Sequence, residues 1–180
     1  GLDNGDHPMV YVDVDTDPAT IDSSSADLVL PAGAVPTSAT LYLGADVGAG
    51  AGGAEAPDVA AAGWAMVTTP AGLTVPVAPE RVDWVDTKYQ AVLDVTSLVQ
   101  GAGGGWWTVG GVQAGTGEGV YAGWALVVTY EDAAAPVRSL VVLDGLSEVS
   151  PSSSTSFEVG GFMVPSTGSA SATLTALSWE

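Results

Sequence analysis

The chain has 180 residues, no cysteine, and 21 acidic against 3 basic side chains, which gives a formal net charge of −18 at pH 7. A field of that sign repels nucleic acid and anionic membrane surfaces, so neither is expected as a partner. The lack of cysteine excludes disulfides and thiol catalysis, and no stretch approaches the roughly 18 uncharged apolar residues of a membrane span, so no membrane insertion is expected.

The N-terminal stretch "MVYVDVDTDPATIDSSSADLVLP" places Asp13, Asp15 and Asp17 at every second position. If this stretch is a strand, successive side chains point to opposite faces, so the three carboxylates share one face and the intervening valines line the other. Residues 1–8, which precede it, are interpreted either as a flexible tail or as a strand donated to a neighbour.

The clustered aspartates suggest calcium, because hard cations take oxygen ligands. Same-side residues of a strand lie roughly 6.5–7 Å apart, so three successive carboxylates cannot chelate one ion. The sequence predicts at most one weak site, in which a turn brings Asp15 and Asp17 together with Asp22. The competing interpretation is a solvated acidic face, so the expected cofactor is either none or Ca²⁺.

The middle of the chain alternates apolar and polar residues with period two, which is typical of strands. "SATLYLGADV" directs Leu41, Leu43 and Ala45 to one face, and Pro76 in "LTVPVAP" confines that strand to a sheet edge. Residues 47–63 are rich in Gly and Ala and are predicted to be a loop. "DVTSLVQGAGGG" combines an Asp94 or Thr96 cap with a glycine stop and predicts one short helix.

Trp106 and Trp107 follow that helix and are adjacent. On a strand they point to opposite faces, so one of them is expected to be exposed. Exposed flat aromatic side chains are how many carbohydrate-binding modules stack sugars, and these two residues are the candidates for a glycan contact. The competing interpretation is that most of the six tryptophans are core residues.

Two later stretches, "GWALVVTY" and "SLVVL", are apolar on both faces. That pattern predicts neighbouring central strands, covered on both sides and joined by the "EDAAAP" turn. "SASATLTALSW" alternates again and predicts a half-buried closing strand. Together these elements predict an all-β fold: one domain over residues 1–180, an antiparallel two-sheet β-sandwich of jelly-roll or immunoglobulin-like topology with at most one or two short helices.

Catalytic signatures are scarce. The one histidine, His7, lies in the polar N-terminal tail, no Gly-x-Ser-x-Gly elbow is present, and no Lys-Ser/Thr follows the glycine runs. The sequence therefore predicts no enzymatic activity. The one lysine, Lys88, raises the alternative of an isopeptide bond to Asp94 or Asp144, although an exposed lysine is the favoured interpretation.

Three stretches together resemble a domain of large secreted surface proteins of high-GC Gram-positive bacteria: "MVYVDVDTDPATIDSSSADLVLPAGA", the block "YAGWALVVTYEDAAAPVRSLVVLDG" with its flanks, and the closing "LTALSWE". In those proteins the domain commonly precedes immunoglobulin-like repeats. The resemblance implies an extracellular location and an adhesive or structural role, and it supplies no catalytic residues.

The sequence thus predicts a non-enzymatic surface-protein domain whose partners are other surface domains or copies of itself. One alternative is a fibre subunit that assembles by β-strand addition. A second alternative is a carbohydrate-binding module whose partner is a glycan.

Overall fold

The computed structural model describes residues 7–149, 152, 154–163, 166–169 and 171–179. Within them the chain forms eight strands in two four-stranded antiparallel sheets, which confirms the predicted all-β, two-sheet architecture. The strands are β1 (Ser23–Leu28), β2 (Val35–Asp46), β3 (Ala65–Thr68), β4 (Thr74–Val77), β5 (Arg81–Val85), β6 (Lys88–Asp94), β7 (Gly105–Gly110) and β8 (Ala122–Glu131). The first sheet has the order β1-β7-β3-β4 and the second sheet β5-β6-β2-β8.

The helical content of the described residues is one α-helix, α1 (Thr96–Ala102), and one 3-10 turn at Val59–Ala61. The predicted short helix is confirmed, but its N-cap residue is Val95 rather than Asp94 or Thr96, and Val95 makes no side-chain capping bond. Asp94, the residue before it, accepts the Thr96 N–H through Oδ1 at 2.8 Å. The Thr96 side chain and the Thr96 N–H together lower the pKa of the Asp94 carboxyl. Within the described part of the chain, no helix is long and apolar enough to cross a membrane.

The core lies between the inner faces of the two sheets. Leu41 and Leu43 of β2 are buried together with Ala45, as their alternation predicts. Other fully buried large side chains come from β6, α1 and the first sheet, namely Tyr89, Leu93, Val99, Trp107 and Val67. Strand β4, which contains Pro76, lies at a sheet edge as predicted, because proline has no N–H for a second neighbour.

The prediction that "GWALVVTY" is a central strand is wrong. These residues belong to β8, which pairs with β2 from Val35↔Glu131 to Ala45↔Ala122 and ends the second sheet. Trp124, Leu126 and Val128 pack against the core from its inner face. Strand β8 is apolar on both faces because one face meets the core and the C-terminal segment lies against the other, for example Trp179 against Gly123. The pattern does not mean that β8 has a neighbouring strand on each side.

The chain after β8 also departs from the prediction. Residues 139–143, "SLVVL", form no strand, and neither do the described residues of "SASATLTALSW". Leu140, Leu174 and Leu177 are exposed. The apolar patterns of these segments are strand-like, but among the described residues no strand pairs with their backbone, and a segment without a paired neighbour has no sheet to join.

Candidate functional site

The aspartate-rich stretch forms a loop, so the strand arrangement in which Asp13, Asp15 and Asp17 share one face does not occur. Met9 makes an isolated bridge to Gly117, and the chain then bends around Ser23, whose Oγ accepts the N–H groups of Val14 and Asp15 at 2.8 and 2.9 Å. Val10, Val12 and Val14 remain exposed. Side-chain hydrogen bonds to the local backbone have replaced a strand ladder.

The three carboxylates of this loop are engaged locally. Asp15 Oδ1 accepts the Asp17 N–H at 2.8 Å and the Thr20 hydroxyl at 3.1 Å. Asp17 Oδ1 accepts the Ala19 N–H at 2.9 Å, and Asp13 Oδ1 accepts the Ser23 hydroxyl at 2.8 Å. These are turn-forming contacts, and they explain why the segment curls back at the position where the sequence predicted a turn.

Asp22, the third predicted calcium ligand, is hydrogen-bonded to the segment that follows β7 instead of to the aspartate loop. Its Oδ1 accepts the Val112 N–H at 2.8 Å, and burial raises the pKa of its carboxyl to about 6. Across the described residues, no group of three or more acidic or histidine side chains converges as metal ligands would. The calcium site at Asp15, Asp17 and Asp22 stays a prediction.

A cleft of about 400 Å³ opens beside Asp22, between the N-terminal loop and the edges of the two sheets. Tyr11 forms part of its wall and donates its hydroxyl proton to the Ala114 carbonyl at 2.7 Å. Trp124 of β8 donates from Nε1 to Ser24 Oγ of β1 at 2.8 Å. That bond joins the first sheet to the second on the side where β1 and β8 are both edge strands.

The tryptophan pair lies on β7 with its rings on opposite faces, as predicted. Trp107 is 2% exposed and donates from Nε1 to the Gly103 carbonyl at 3.2 Å, so it is a core residue and cannot stack a sugar in this structure. Trp106 is 64% exposed and is paired across the strands with Asp27. Of the two candidates for a glycan contact, the structure leaves Trp106 accessible.

Next to Trp106, four hydroxyl side chains cross the outer face of the first sheet in one row, here called the hydroxyl row. Ser25 is hydrogen-bonded to Thr108 at 2.7 Å, Thr108 is in register with Thr68, and Thr68 is hydrogen-bonded to Thr74 at 2.8 Å. Residues in register lie on the same face of an antiparallel sheet. The row therefore runs across β1, β7, β3 and β4 and leaves a flat polar surface.

The outer face of the second sheet is covered instead. Tyr42 of β2 is 5% exposed and donates its hydroxyl proton to Asp144 Oδ2 at 3.2 Å. Arg81 of β5 pairs with Asp144 as well and with Asp83 at 2.8 Å. Gln90 of β6 donates from Nε2 to the Gly145 carbonyl at 3.3 Å. The segment after β8 thus holds to this face through polar contacts.

Lys88 extends the same cover. Its Nζ lies 3.2 Å from Glu148 Oε1, and this contact raises the pKa of the lysine. Neither Asp94 nor Asp144 is its partner: Asp94 accepts the Thr96 N–H at the start of α1, and Asp144 binds Tyr42 and Arg81. The isopeptide alternative finds no support in these contacts.

Sequence reasoning missed two features of these faces. The hydroxyl row can be recognised only when the register between the strands is known, and no local sequence pattern gives that register. The second feature is a pair of glycines, Gly44 and Gly123, that face each other in β2 and β8. Isolated glycines in strand patterns are a signal for close approach by another group, and here the Trp179 ring fills the space.

Comparison with protein-family models, curated protein sequences and solved structures finds no match to this chain.

Proposed function

We propose that this chain is a non-enzymatic domain of an extracellular bacterial surface protein, with an adhesive or structural role, and that it associates with copies of itself by β-strand addition. The observation that carries the proposal is the combination of an open edge at β8 with strand-like, exposed segments after it. The acidic composition and the resemblance to secreted surface proteins support the extracellular location.

Strand β8 offers a long edge for pairing. It spans ten residues, Ala122–Glu131, and contains neither Lys nor Pro, the residues that commonly protect sheet edges. Among the described residues its hydrogen-bonded neighbour is β2 alone. A free edge of this kind accepts an added strand through main-chain hydrogen bonds.

The described residues after β8 supply candidate strands to add. Their exposed apolar side chains include Val137, Phe157, Met163, Leu174 and Leu177. In residues 171–177, Ser and Thr alternate with Ala and Leu, so one face of an added strand would be apolar. Exposed apolar segments are uncommon on monomeric proteins and typically mark interaction sites.

The net charge of −18 opposes association, because each copy repels the next. Salt screens exposed charges beyond about 10 Å at 0.1 M. Association by β-strand addition is therefore expected to strengthen as NaCl or CaCl₂ is added. In this proposal calcium acts as a counterion to the acidic surface and needs no dedicated ligand set.

Sedimentation velocity over a range of protein and salt concentrations tests the proposal. The wild type is expected to self-associate, and Leu174→Asp is expected to weaken association at least tenfold by placing a charge on the apolar face of the added strand. Leu73→Asp is the matched control, since Leu73 is an exposed leucine in the turn before β4. A wild type that stays monomeric at every salt concentration contradicts the proposal, as do equal losses in the two variants.

A second candidate function, glycan binding, is favoured by the outer face of the first sheet. Trp106 offers a ring for stacking on a sugar, and Asp27 and the hydroxyl row place hydrogen-bonding groups beside it. Neutral glycans suit this surface better than acidic ones, because the net charge of the chain repels anions.

A glycan array followed by calorimetry on any hit tests this candidate. Trp106→Ala is expected to abolish binding, whereas Trp64→Ala, which removes another exposed indole, is expected to leave it unchanged. An array without hits, or equal losses in both variants, contradicts it.

A further inference from the structure

The cleft beside Asp22, here called the Asp22 cleft, lies on the side of the sandwich where β1 and β8 are both edge strands. At about 400 Å³ it has room for a small ligand, since ligand pockets commonly measure roughly 300–1,000 Å³. Aromatic and aliphatic side chains surround the carboxyl of Asp22 in its wall. The aromatic residues are Tyr11, Tyr121 and Trp124, and the aliphatic residues include Met9, Val109, Val112 and Val120.

The carboxyl of Asp22 has no counter-ion within the described part of the chain. The ion pairs found there involve Arg81 and Lys88 on the second sheet, and none includes Asp22. His7 also lines the cleft, but it is exposed and forms no ion pair with this carboxyl. A partly buried carboxylate in this position is stabilised by a cation that enters the cleft, because an opposite charge within a few ångströms favours the charged form.

The electrostatics of the cleft also favour a cation. The Val112 N–H donates to Asp22 Oδ1 at 2.8 Å, and the Gly111 N–H likewise favours the charged form. Burial nevertheless raises the pKa of Asp22 to about 6, and the charges of Asp13 and Asp15 act in the same direction. At neutral pH the group is therefore mostly ionised, and it adds to the negative potential of its neighbours. A carboxylate accepts up to about four hydrogen bonds, so these backbone donors leave acceptor capacity for a ligand.

Two aromatic side chains of the cleft offer ring surface to a ligand, because their polar ends are bonded to the protein itself. The Tyr11 hydroxyl donates to the Ala114 carbonyl at 2.7 Å, and Trp124 Nε1 donates to Ser24 Oγ at 2.8 Å. Burial and the nearby charge of Asp22 raise the pKa of the Tyr11 hydroxyl, so this ring lies close to the carboxylate. Aromatic rings attract cations that lie over their faces within about 6 Å of the ring centre.

We infer that the Asp22 cleft binds a small organic cation of the alkylammonium class, with the charge at the Asp22 carboxylate and the alkyl groups against the aromatic and aliphatic wall. A metal ion suits the cleft less well, because an apolar wall supplies few oxygen ligands and no three acidic or histidine side chains converge within the described residues. The net charge of −18 repels an anion. The inference goes beyond the proposed self-association and does not rest on it.

Choline is a suitable probe, because it has a neutral analogue of the same shape in which carbon replaces the ammonium nitrogen. Each compound is titrated into the isotope-labelled full chain at neutral pH, and the amide and indole N–H signals are followed by NMR. Choline is expected to bind at least tenfold more tightly than the neutral analogue. The largest shifts are expected at the Val112 amide and the Trp124 indole, since both residues line the cleft. A titration with sodium chloride controls for ionic strength.

Variants of the cleft separate the charge from the apolar wall. Asp22→Asn is expected to weaken choline binding at least tenfold, because asparagine keeps an acceptor for the Val112 N–H but carries no charge. Asp86→Asn is the matched control, since it removes one negative charge from the exposed turn between β5 and β6 and is expected to leave binding unchanged. Tyr11→Leu keeps an apolar side chain without an aromatic face and is expected to weaken binding several-fold.

Circular dichroism checks the fold of each variant, and the comparison of choline with its neutral analogue on the wild type decides the question even if Asp22→Asn folds poorly. Equal affinities for the two compounds overturn the inference, since the cleft would then select apolar volume alone. Equal choline affinities of the wild type and Asp22→Asn overturn it as well. The same holds if no signal shifts saturably, or if the shifts spread evenly over the acidic surface, as expected of non-specific counterions.

Discussion

The two sheets of the sandwich bury similar inner faces but differ in what covers their outer faces. The outer face of the first sheet is bare: it carries the hydroxyl row, and Trp106 is 64% exposed. On the second sheet the corresponding face is covered, and Tyr42 and Val92 are 5% and 7% exposed. The cover comes from the segment after β8, through Asp144, Gly145 and Trp179.

The difference shows how side-chain chemistry determines whether a sheet face needs cover. Hydroxyls on the first sheet bond to one another across the strands, at 2.7 Å for Ser25 and Thr108 and 2.8 Å for Thr68 and Thr74, so they need no covering segment as a partner. The second sheet presents an apolar valine and two facing glycines, which leave unfilled space. Such a face is stabilised by covering it, and the chain uses its own C-terminal segment for that purpose.

The comparison is tested most strongly by the adjacent tryptophans of β7, one on each face. Trp107→Ala is expected to lower the free energy of unfolding by about 3–5 kcal/mol, because it empties a core position. Trp106→Ala, the matched control, is expected to change it by less than about 0.5 kcal/mol. Urea titrations followed by circular dichroism measure both, and similar losses would mean that the bare outer face also contributes to the core.

A charged substitution in β8 of the second sheet is expected to give the next largest change in the free energy of unfolding. Val128 packs against the core from the inner face of an edge strand and is only half-buried. Val128→Asp is therefore expected to lower the free energy of unfolding by about 2–3 kcal/mol, less than a fully buried charge would, because water reaches part of the new carboxylate. Val127→Asp on the outer face is the control. Thermal or urea unfolding measures both variants. If Val127→Asp lowers the free energy of unfolding as much as Val128→Asp does, the outer cover is packed as densely as the core.

Much of the sandwich could be predicted from sequence, because the period-two alternation of β2 and the short helical stretch that stops at glycine in α1 are local signals. The position of β8 could not, since an apolar strand is compatible both with a sheet centre and with an edge covered by loops. The spacing of the N-terminal aspartates suggested a strand, but Ser23, eight to ten residues further along the chain, folds them into a loop through its side chain, which the alternation does not indicate. The hydroxyl row arises from the register between strands, so it can be recognised only once the fold is known.

The open side between the sheets, where β1 meets β8, offers a pH-dependent test of the same comparison. Burial raises the pKa of Asp22 to about 6, above its ordinary value of 3.8. Between these pH values the folded chain keeps a proton that the unfolded chain releases, so stability falls as the pH rises from about 4 to about 6. Because the carboxyl is partly solvated, the loss is expected to be about 1–2 kcal/mol.

Asp22→Asn isolates this contribution from the other acidic residues, since asparagine retains an acceptor for the Val112 N–H but does not titrate. The wild type is expected to lose stability relative to Asp22→Asn across that pH window, measured by urea unfolding at fixed pH values. Parallel curves for the two proteins would show that Asp22 is as well solvated in the cleft as in the unfolded chain.

The smallest expected effect concerns the cover on the second sheet. Tyr42→Phe keeps the ring and removes the hydrogen bond to Asp144, and burial together with that carboxylate raises the pKa of the tyrosine hydroxyl. The global free energy of unfolding is expected to fall by less than about 1 kcal/mol.

Amide hydrogen exchange in Tyr42→Phe should be faster than in the wild type in the cover around Gly145 and unchanged in β2, because local opening exposes the cover without unfolding the sheet. Tyr130→Phe, near the exposed end of β8, controls for loss of a tyrosine hydroxyl elsewhere. Faster exchange in both β2 and the cover would contradict the separation, since it would mean that the cover and the second sheet open as one unit.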